Sequence, residues 1–395
     1  DIVYATEKAA DPDSKTLLCY GHYDVQPPEP LDKWISPPFE ANIIDGVMYA
    51  RGATDDKSGT LALVRAARAF KEVRGAPPVN LVYLIEGEEE MGSPTIKPFL
   101  REHVETLAAD LAVICDTRMY DGRVPAIVTS LRGLLGQEVT LTAADRDLHS
   151  GGYGGPAANP LRLLSRALAT LHDDMGRVTL PGFYDGVPEL DDVQRADWEK
   201  LGMDTVGFLG PVGLSKLAGE DGYSVPELLW ARPTCEINGM WGGYTGDGFK
   251  TVLPAQASAK VSFRLVGTQD PQSIRDAFRQ HIRDHLPPDV TAEFTDHGAA
   301  PAAFMDTSDP VFERARAALT DEWGVTAAYI GGGGSIPVGD YFKSVLGMES
   351  LFIGFARDDD RVHSPNEKYN VENFHKGIRS WIRVLAAIPQ LEDGR

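Results

Sequence analysis

The chain has 395 residues, long for one compact core, so two domains or one domain carrying a large insertion are expected. Hydrophobic residues make up 43% and charged residues 24%, enough apolar material for packed interiors and too ordered a composition for extensive disorder. Its 58 acidic residues outnumber 38 basic ones for a formal charge of −20, and a surface that negative repels phosphate backbones and anionic headgroups, so neither a nucleic acid nor a membrane partner is expected.

The chain opens without Met on the strand-like DIVYATEKAA, and a segment preceding Asp1 is expected. A strand is predicted over Thr16 to Tyr20. An amphipathic helix follows from Lys57 to Val73, with Leu61, Val64, Ala67, Phe70 and Val73 at intervals of three. Strands are then predicted over Val79 to Ile85 and Leu111 to Cys115, and short apolar runs alternating with helices read as an α/β sheet with crossover helices. From about Ile127 the texture changes. QEVTLTAADRDLHS alternates like a strand, Gly151 to Gly155 reads as a turn, Asn159 to Leu171 as a helix, KTVLPAQASAKVSFRLV as a hairpin partner and Pro271 to Leu286 as a second helix. After roughly Ala303 the first texture returns, with a helix over Asp309 to Trp323, a strand over Ser350 to Phe355 and a helix over Val371 to Ile388. The fold class predicted is α/β: a discontinuous domain at 1–128 and 304–395, its mixed sheet sandwiched by helices, with an inserted α+β domain at 129–303. Cys19, Cys115 and Cys235 are odd in number and far apart, and they read as buried free thiols in a reducing, cytoplasmic compartment.

Polar clusters stand just past the carboxyl ends of the apolar strands, where open α/β sheets place their ligands. His22 and Asp24 follow LLCYG, the Glu88-Glu89-Glu90 run follows LVYLIEG, Asp116 follows LAVIC, and His363 lies beyond SLFIGFA. Taken singly, each has an ordinary reading: a loop hydrogen bond for His22 and Asp24, a helix cap for Asp55-Asp56, a solvated face for the three Glu. Taken together, carboxylates converging from separate strand ends would repel one another unless a cation held them. Two His and several carboxylates without Cys suit zinc, cobalt or manganese, and two ions sharing a carboxylate fit the count.

Seven motifs, GHYDVQP (Gly21 to Pro27), RGATDDKSG (Arg51 to Gly59), EGEEEMGS (Glu86 to Ser93), CDT at Asp116, DLHSGGYGG (Asp147 to Gly155), GGSIPV (Gly333 to Val338) and HSPNE (His363 to Glu367), occur in this order over nearly the whole chain. The set resembles the M20 metallopeptidase family, and within it the cytosolic dipeptidase and carnosinase branch. The resemblance implies that part of the catalytic domain precedes Asp1 and that two divalent metal ions are bound, zinc or else manganese or cobalt. By it, His22 and Asp116 hold one ion, Glu90 and His363 the other, and Asp55 bridges them across a cis bond to Asp56. Asp24 orients His22, and the pattern Glu-Glu-x-Gly, matched by Glu89-Glu90-Met91-Gly92, makes Glu89 the general base. The inserted domain becomes a lid and dimerisation domain of a homodimer, whose His149 reaches the partner's site to meet the oxyanion and whose Thr251 touches substrate there. Arg264 grips the substrate carboxylate, while Gly334 and Ser335 approach its C-terminal end.

The activity implied is metal-dependent hydrolysis of the amide bond of dipeptides or short peptides with a free C-terminal carboxylate. Three alternatives stay open: a deacylase of N-acyl amino acids or an aminopeptidase using the same metals; a non-catalytic binding relative, although no ligand position is lost; and a zinc helix at His281 and His285. The last lacks a Glu beside the first His, so that pair reads as a solvated helix face.

Overall fold

The computed structural model describes residues 1–190, 192–334 and 336–391; Ser335, named above as a substrate contact, lies outside them. The chain divides into two compact units, one formed by 1–129, 305–330 and 336–391, the other by 130–304 with 331–334.

In the first unit the strands Thr16–His22, Asn80–Glu86, Leu111–Ile114 and Ser350–Phe352 run parallel, bordered by antiparallel Val3–Glu7 beside Asn80–Glu86 and antiparallel Ala126–Leu131 beside Ser350–Phe352. Continuous apolar runs such as Leu17 to Tyr20 and Leu111 to Ile114 are buried throughout, the pattern of strands covered on both faces. Parallel strands place all their carboxyl ends along one edge, and that edge carries the polar clusters. Helices Lys57–Arg74, Pro310–Trp323 and Val371–Ala387 pack together, as do Ile96–Glu102 and Pro337–Leu346.

The helix Lys57–Arg74 buries part of the expected stripe, Ala67 and Phe70, with Val64 half-buried, but not its ends. Leu61 and Val73 are exposed, whereas Ser58, Ala62, Leu63, Ala66, Ala67 and Phe70 are buried. A strict interval of three drifts around a helix of 3.6 residues per turn, so the packed stripe follows intervals of three and four, such as Ser58, Ala62, Ala66 and Phe70 with Leu63 and Ala67 beside them. The helix ends on Gly75 at φ 86°, where only glycine fits without strain.

The second unit is built on an antiparallel sheet in the order Thr234–Gly242, Gln256–Leu265, Gly133–Thr142, Thr291–Ala300. Strict burial alternation along Gly133–Thr142 gives the sheet one apolar face. That face packs with helices Pro160–Ala169 and Pro271–Asp284 around Leu135, Val139, Leu164, Phe263 and Phe278. Both helices open on a side-chain cap, Asn159 and Asp270, followed by proline at the first position. His281 and His285 are half-buried rather than solvated: His281 meets the Ala167 carbonyl at 2.9 Å, and both rings approach the Thr170 hydroxyl at 3.2 Å, so the pair ties the two helices together. The three cysteines are buried and free. Among the described residues no helix is long and apolar enough to cross a membrane.

Phe263 is fully buried between Phe183 and Phe278. Phe263→Ala should destabilise this unit by about 3–5 kcal/mol, read from denaturant midpoints at constant m; a change under about 1 kcal/mol would show that the ring is not at the centre of the core.

Candidate metal centre

Three parallel strands of the first unit lead into the cluster, through His22, Glu90 and Asp116, while Asp55 and His363 come from loops. The buried His22 ends its strand with Nε2 3.0 Å from Asp55 Oδ1 and 3.8 Å from Asp116 Oδ2. The other oxygen of Asp55, Oδ2, lies 2.9 Å from His363 Nε2, which is also 3.2 Å from Glu90 Oε2. Two triads result, His22/Asp55/Asp116 and Asp55/Glu90/His363, and within each the ligand atoms lie within 4.8 Å of one another. Donors held ~2.0–2.1 Å from a common tetrahedral ion stand roughly 3.3 Å apart, so the spacing fits one divalent ion per triad with Asp55 offering an oxygen to each. Nitrogen and carboxylate donors without sulfur suit zinc, manganese or cobalt.

The surroundings hold this geometry. His22 Nδ1 meets both the carbonyl of Asp24 at 3.2 Å and its carboxylate at 3.3 Å, leaving Nε2 for the cluster. The same Asp24 carboxylate accepts the backbone N–H groups of Glu89 at 3.3 Å and Glu90 at 3.0 Å, so it also anchors the short turn Glu89–Met91. The Gln26 amide donates to Glu90 Oε2 at 2.8 Å. The Asp55-Asp56 peptide is cis. Asp56 stands at the start of helix Lys57–Arg74 but makes no side-chain cap; its buried carboxylate accepts from the His22 N–H at 3.3 Å and the Thr60 hydroxyl at 3.1 Å. Gly59 is required here, because a Cβ would lie 2.1 Å from Asp56 Oδ1 and 2.5 Å from the Cys115 carbonyl oxygen. His363 adopts φ 61°, a conformation uncommon outside glycine and concentrated at functional sites.

The charges report the crowding. Burial and the neighbouring charges of Asp55 and Glu90 push Asp116 up to about 7. Burial, then the charge of Asp116, pushes Glu89 up to about 8. His22 is raised to about 11 because hydrogen bonding to Asp55 and the charges of Asp116 and Asp56 together outweigh its burial. His363 is raised to about 10, chiefly by its hydrogen bonds to Asp55 and Glu90. Glu89 belongs to neither triad.

The remaining candidates lie in the second unit. His149 pairs with Val252 in a short ladder, its exposed ring accepts the Gly151 N–H on Nδ1 at 3.0 Å, and the Thr251 carbonyl accepts from Ser150 at 3.0 Å, so His149 and Thr251 are neighbours. Nδ1 is thus engaged as an acceptor, which leaves Nε2 as the ring nitrogen able to donate. Arg264 is half-buried, which lowers its pKa. Beside it stands Arg132, a residue the motifs did not single out; burial and the charge of Arg264 lower it to about 10, and its Nε donates to the Gly333 carbonyl at 3.1 Å. Gly334 is exposed. Two guanidinium groups next to a glycine-rich loop suit an anionic group. Glu367 and Arg51, likewise unforeseen as site residues, form a buried ion pair at 2.6 Å behind Asp55.

A family model described as Peptidase family M20/M25/M40 matches residues 18–387. The Cys-Gly metallodipeptidase dug1 of Schizosaccharomyces pombe is 30% identical over 387 residues, 96% of this chain and 81% of the relative. The crystal structure of the M20 family metallo-carboxypeptidase Sso-CP2 from Sulfolobus solfataricus superposes with a TM-score of 0.86 at 31% identity, covering 98% of this chain and 88% of that one. Human carnosine dipeptidase 1 superposes at 0.82 with 27% identity, covering 98% and 83%.

Two outcomes follow from the geometry. Asp55→Ala should abolish retention of both ions and Asp116→Ala of one, measured as metal content after gel filtration; an Asp55→Ala protein holding two ions contradicts the shared carboxylate. Without metal, His22 and His363 remain protonated at neutral pH, and a ligand must be deprotonated. Metal uptake should therefore release protons and tighten as pH rises, and uptake into unbuffered indicator with no acidification would count against His22 and His363 as ligands.

Proposed function

The chain belongs to peptidase family M20/M25/M40, and from that premise we propose that it uses two divalent metal ions to hydrolyse the amide bond of dipeptides or short peptides with a free C-terminal carboxylate. The observation that carries this reading is the shared Asp55, one oxygen toward each triad. When bound, such a pair of ions supplies Lewis acidity and a water acidified to near-neutral pKa. Zinc suits the donor set, with manganese and cobalt as the alternatives.

The residues of the chain do the rest. Glu89, adjacent to ligand Glu90 and with its pKa raised to about 8, chiefly by burial and secondarily by Asp116, is placed to take a proton from the attacking water and return it to the leaving amine. Asp24 holds both the His22 ring and the Glu89 turn in place. Arg264 takes the substrate carboxylate, and the adjacent Arg132 and the loop at Gly333 and Gly334 support an anionic group there. The names of the relatives, which specify Cys-Gly, carnosine and carboxypeptidase substrates, support small peptides over acyl amino acids. Buried free thiols support a reducing, cytoplasmic setting.

A homodimer through the second unit, acting as a lid and dimerisation domain, completes the reading. The edge strand Thr234–Gly242 leaves Ile237, Met240 and Trp241 exposed, a combination that proteins ordinarily cover. His149 Nε2–H, with Thr251 beside it, is the exposed donor that a partner's oxyanion requires.

Glu89→Gln should retain both metal ions and lose turnover by a factor of about 10²–10⁴ on a dipeptide, because the shape stays while the proton acceptor goes. Activity within a few-fold of the parent removes Glu89 as base, and loss of metal makes it a ligand instead. Mixing inactive Glu89→Gln chains with inactive His149→Ala chains should restore activity once subunits exchange, since one site of the mixed dimer then has both groups. Verified exchange without recovery would place His149 outside the partner's site.

A further inference from the structure

The Glu367 side chain is 1% exposed, four residues beyond His363 in the same loop. Its Oε2 accepts from Arg51 Nη1 at 2.6 Å and the Gly52 N–H at 3.0 Å; its Oε1 accepts from the N–H groups of Thr54 at 2.9 Å and Asp55 at 3.1 Å. The stretch that presents Asp55 is therefore gripped from behind by a carboxylate 312 residues away in sequence. Further bonds run the same way: Thr54 Oγ1 donates to the Lys368 carbonyl at 2.6 Å, and Ala50 N donates to the Glu367 carbonyl at 3.1 Å. One loop thus supplies His363 to Oδ2 of Asp55 and fixes the backbone from which Asp55 projects.

We propose that Glu367 is a positioning residue that sets the Asp55 carboxylate against His363, so that the ion held by Asp55, Glu90 and His363 depends on it although it touches no ligand atom of that triad. The inference rests on the reading of the cluster as a dinuclear metal centre. The chemistry of the grip makes it sensitive to a single atom. A carboxylate offers acceptors on both oxygens and satisfies all four donors, whereas a carboxamide accepts on one side only and turns an NH₂ toward donors on the other. Whichever way Gln lies, either the Thr54 and Asp55 N–H groups or Arg51 and Gly52 lose their acceptor, in a place from which water is shut out. The triad of His22, Asp55 and Asp116 depends on the grip through Asp55 alone. The His363 triad depends on it twice, through Asp55 and through the loop that carries His363.

The test is a zinc titration of the full chain against a competing chelator, with cobalt(II) visible absorption as a second readout and the thermal midpoint of the metal-free protein as a control. Wild type should bind two ions. Glu367→Gln should weaken the ion on the His363 side by about 10–100-fold, weaken the other ion less, and alter the cobalt spectrum of the weaker site. A merely structural role would lower the thermal midpoint while leaving both affinities and the spectrum of the folded protein unchanged, and that result overturns the proposal. If Glu367→Gln does not fold, Glu367→Asp, which keeps the charge but shortens the reach, is held to the same expectation, and wild-type affinity on the His363 side overturns the proposal equally. Wild type binding fewer than two ions overturns the dinuclear reading and this inference with it, an outcome distinguishable from two ions bound alike by parent and variant.

Discussion

Mutual repulsion among carboxylates is the constraint around which the first unit is arranged. Asp24, Asp55, Asp56, Glu89, Glu90 and Asp116 gather at the carboxyl ends of parallel strands, several of them buried or half-buried, with two histidines as the nearest cationic partners. Taking charge out of water is costly, and like charges at a few ångströms add to that cost. The protein responds by raising Asp116 and Glu89, first through burial, and by holding protons on His22 and His363. Two divalent ions would replace those protons as the compensating charge. Relief of this crowding would be the driving force for an ion to enter the cluster.

Much of the local chain follows from keeping that cluster in register. The Asp56 carboxylate receives the His22 N–H instead of capping its helix, and Gly59 leaves it room. Asp24 joins the His22 strand to the Glu89–Met91 turn, so one member of each triad, His22 and Glu90, and the proposed base are tied to one side chain. Glu367 joins the Asp55 loop to the His363 loop in the same manner. Each link is a carboxylate receiving backbone N–H groups, a strong and directional contact away from water.

How much of this was legible in the sequence depended on range. Apolar runs closed by His22, Glu88 to Glu90 and Asp116 marked the strand ends, because a buried parallel strand and the polar residues after it are neighbours in the chain. Ordered motifs pointed to the ligand set, and the structure brings His22, Asp55, Glu90, Asp116 and His363 together. On Lys57–Arg74 the expected Ala67 and Phe70 are buried, but Leu61 and Val73 are not, because the small residues Ser58, Ala62 and Ala66 share the packed stripe where only larger ones were sought. Glu367, Arg51 and Arg132 were missed as site residues because their roles exist only through partners distant in sequence. His281 and His285 looked solvated because nothing nearby in the chain shows helix Pro160–Ala169 covering them.

Whether Asp55 is shared between two metal ions can be seen by anomalous diffraction from crystals grown with zinc. A shared carboxylate should give two peaks ~3.5–4 Å apart, one beside His22 and Asp116 and the other beside Glu90 and His363, with one Asp55 oxygen on each. A single peak, or two peaks of which one lacks Asp55, would contradict it.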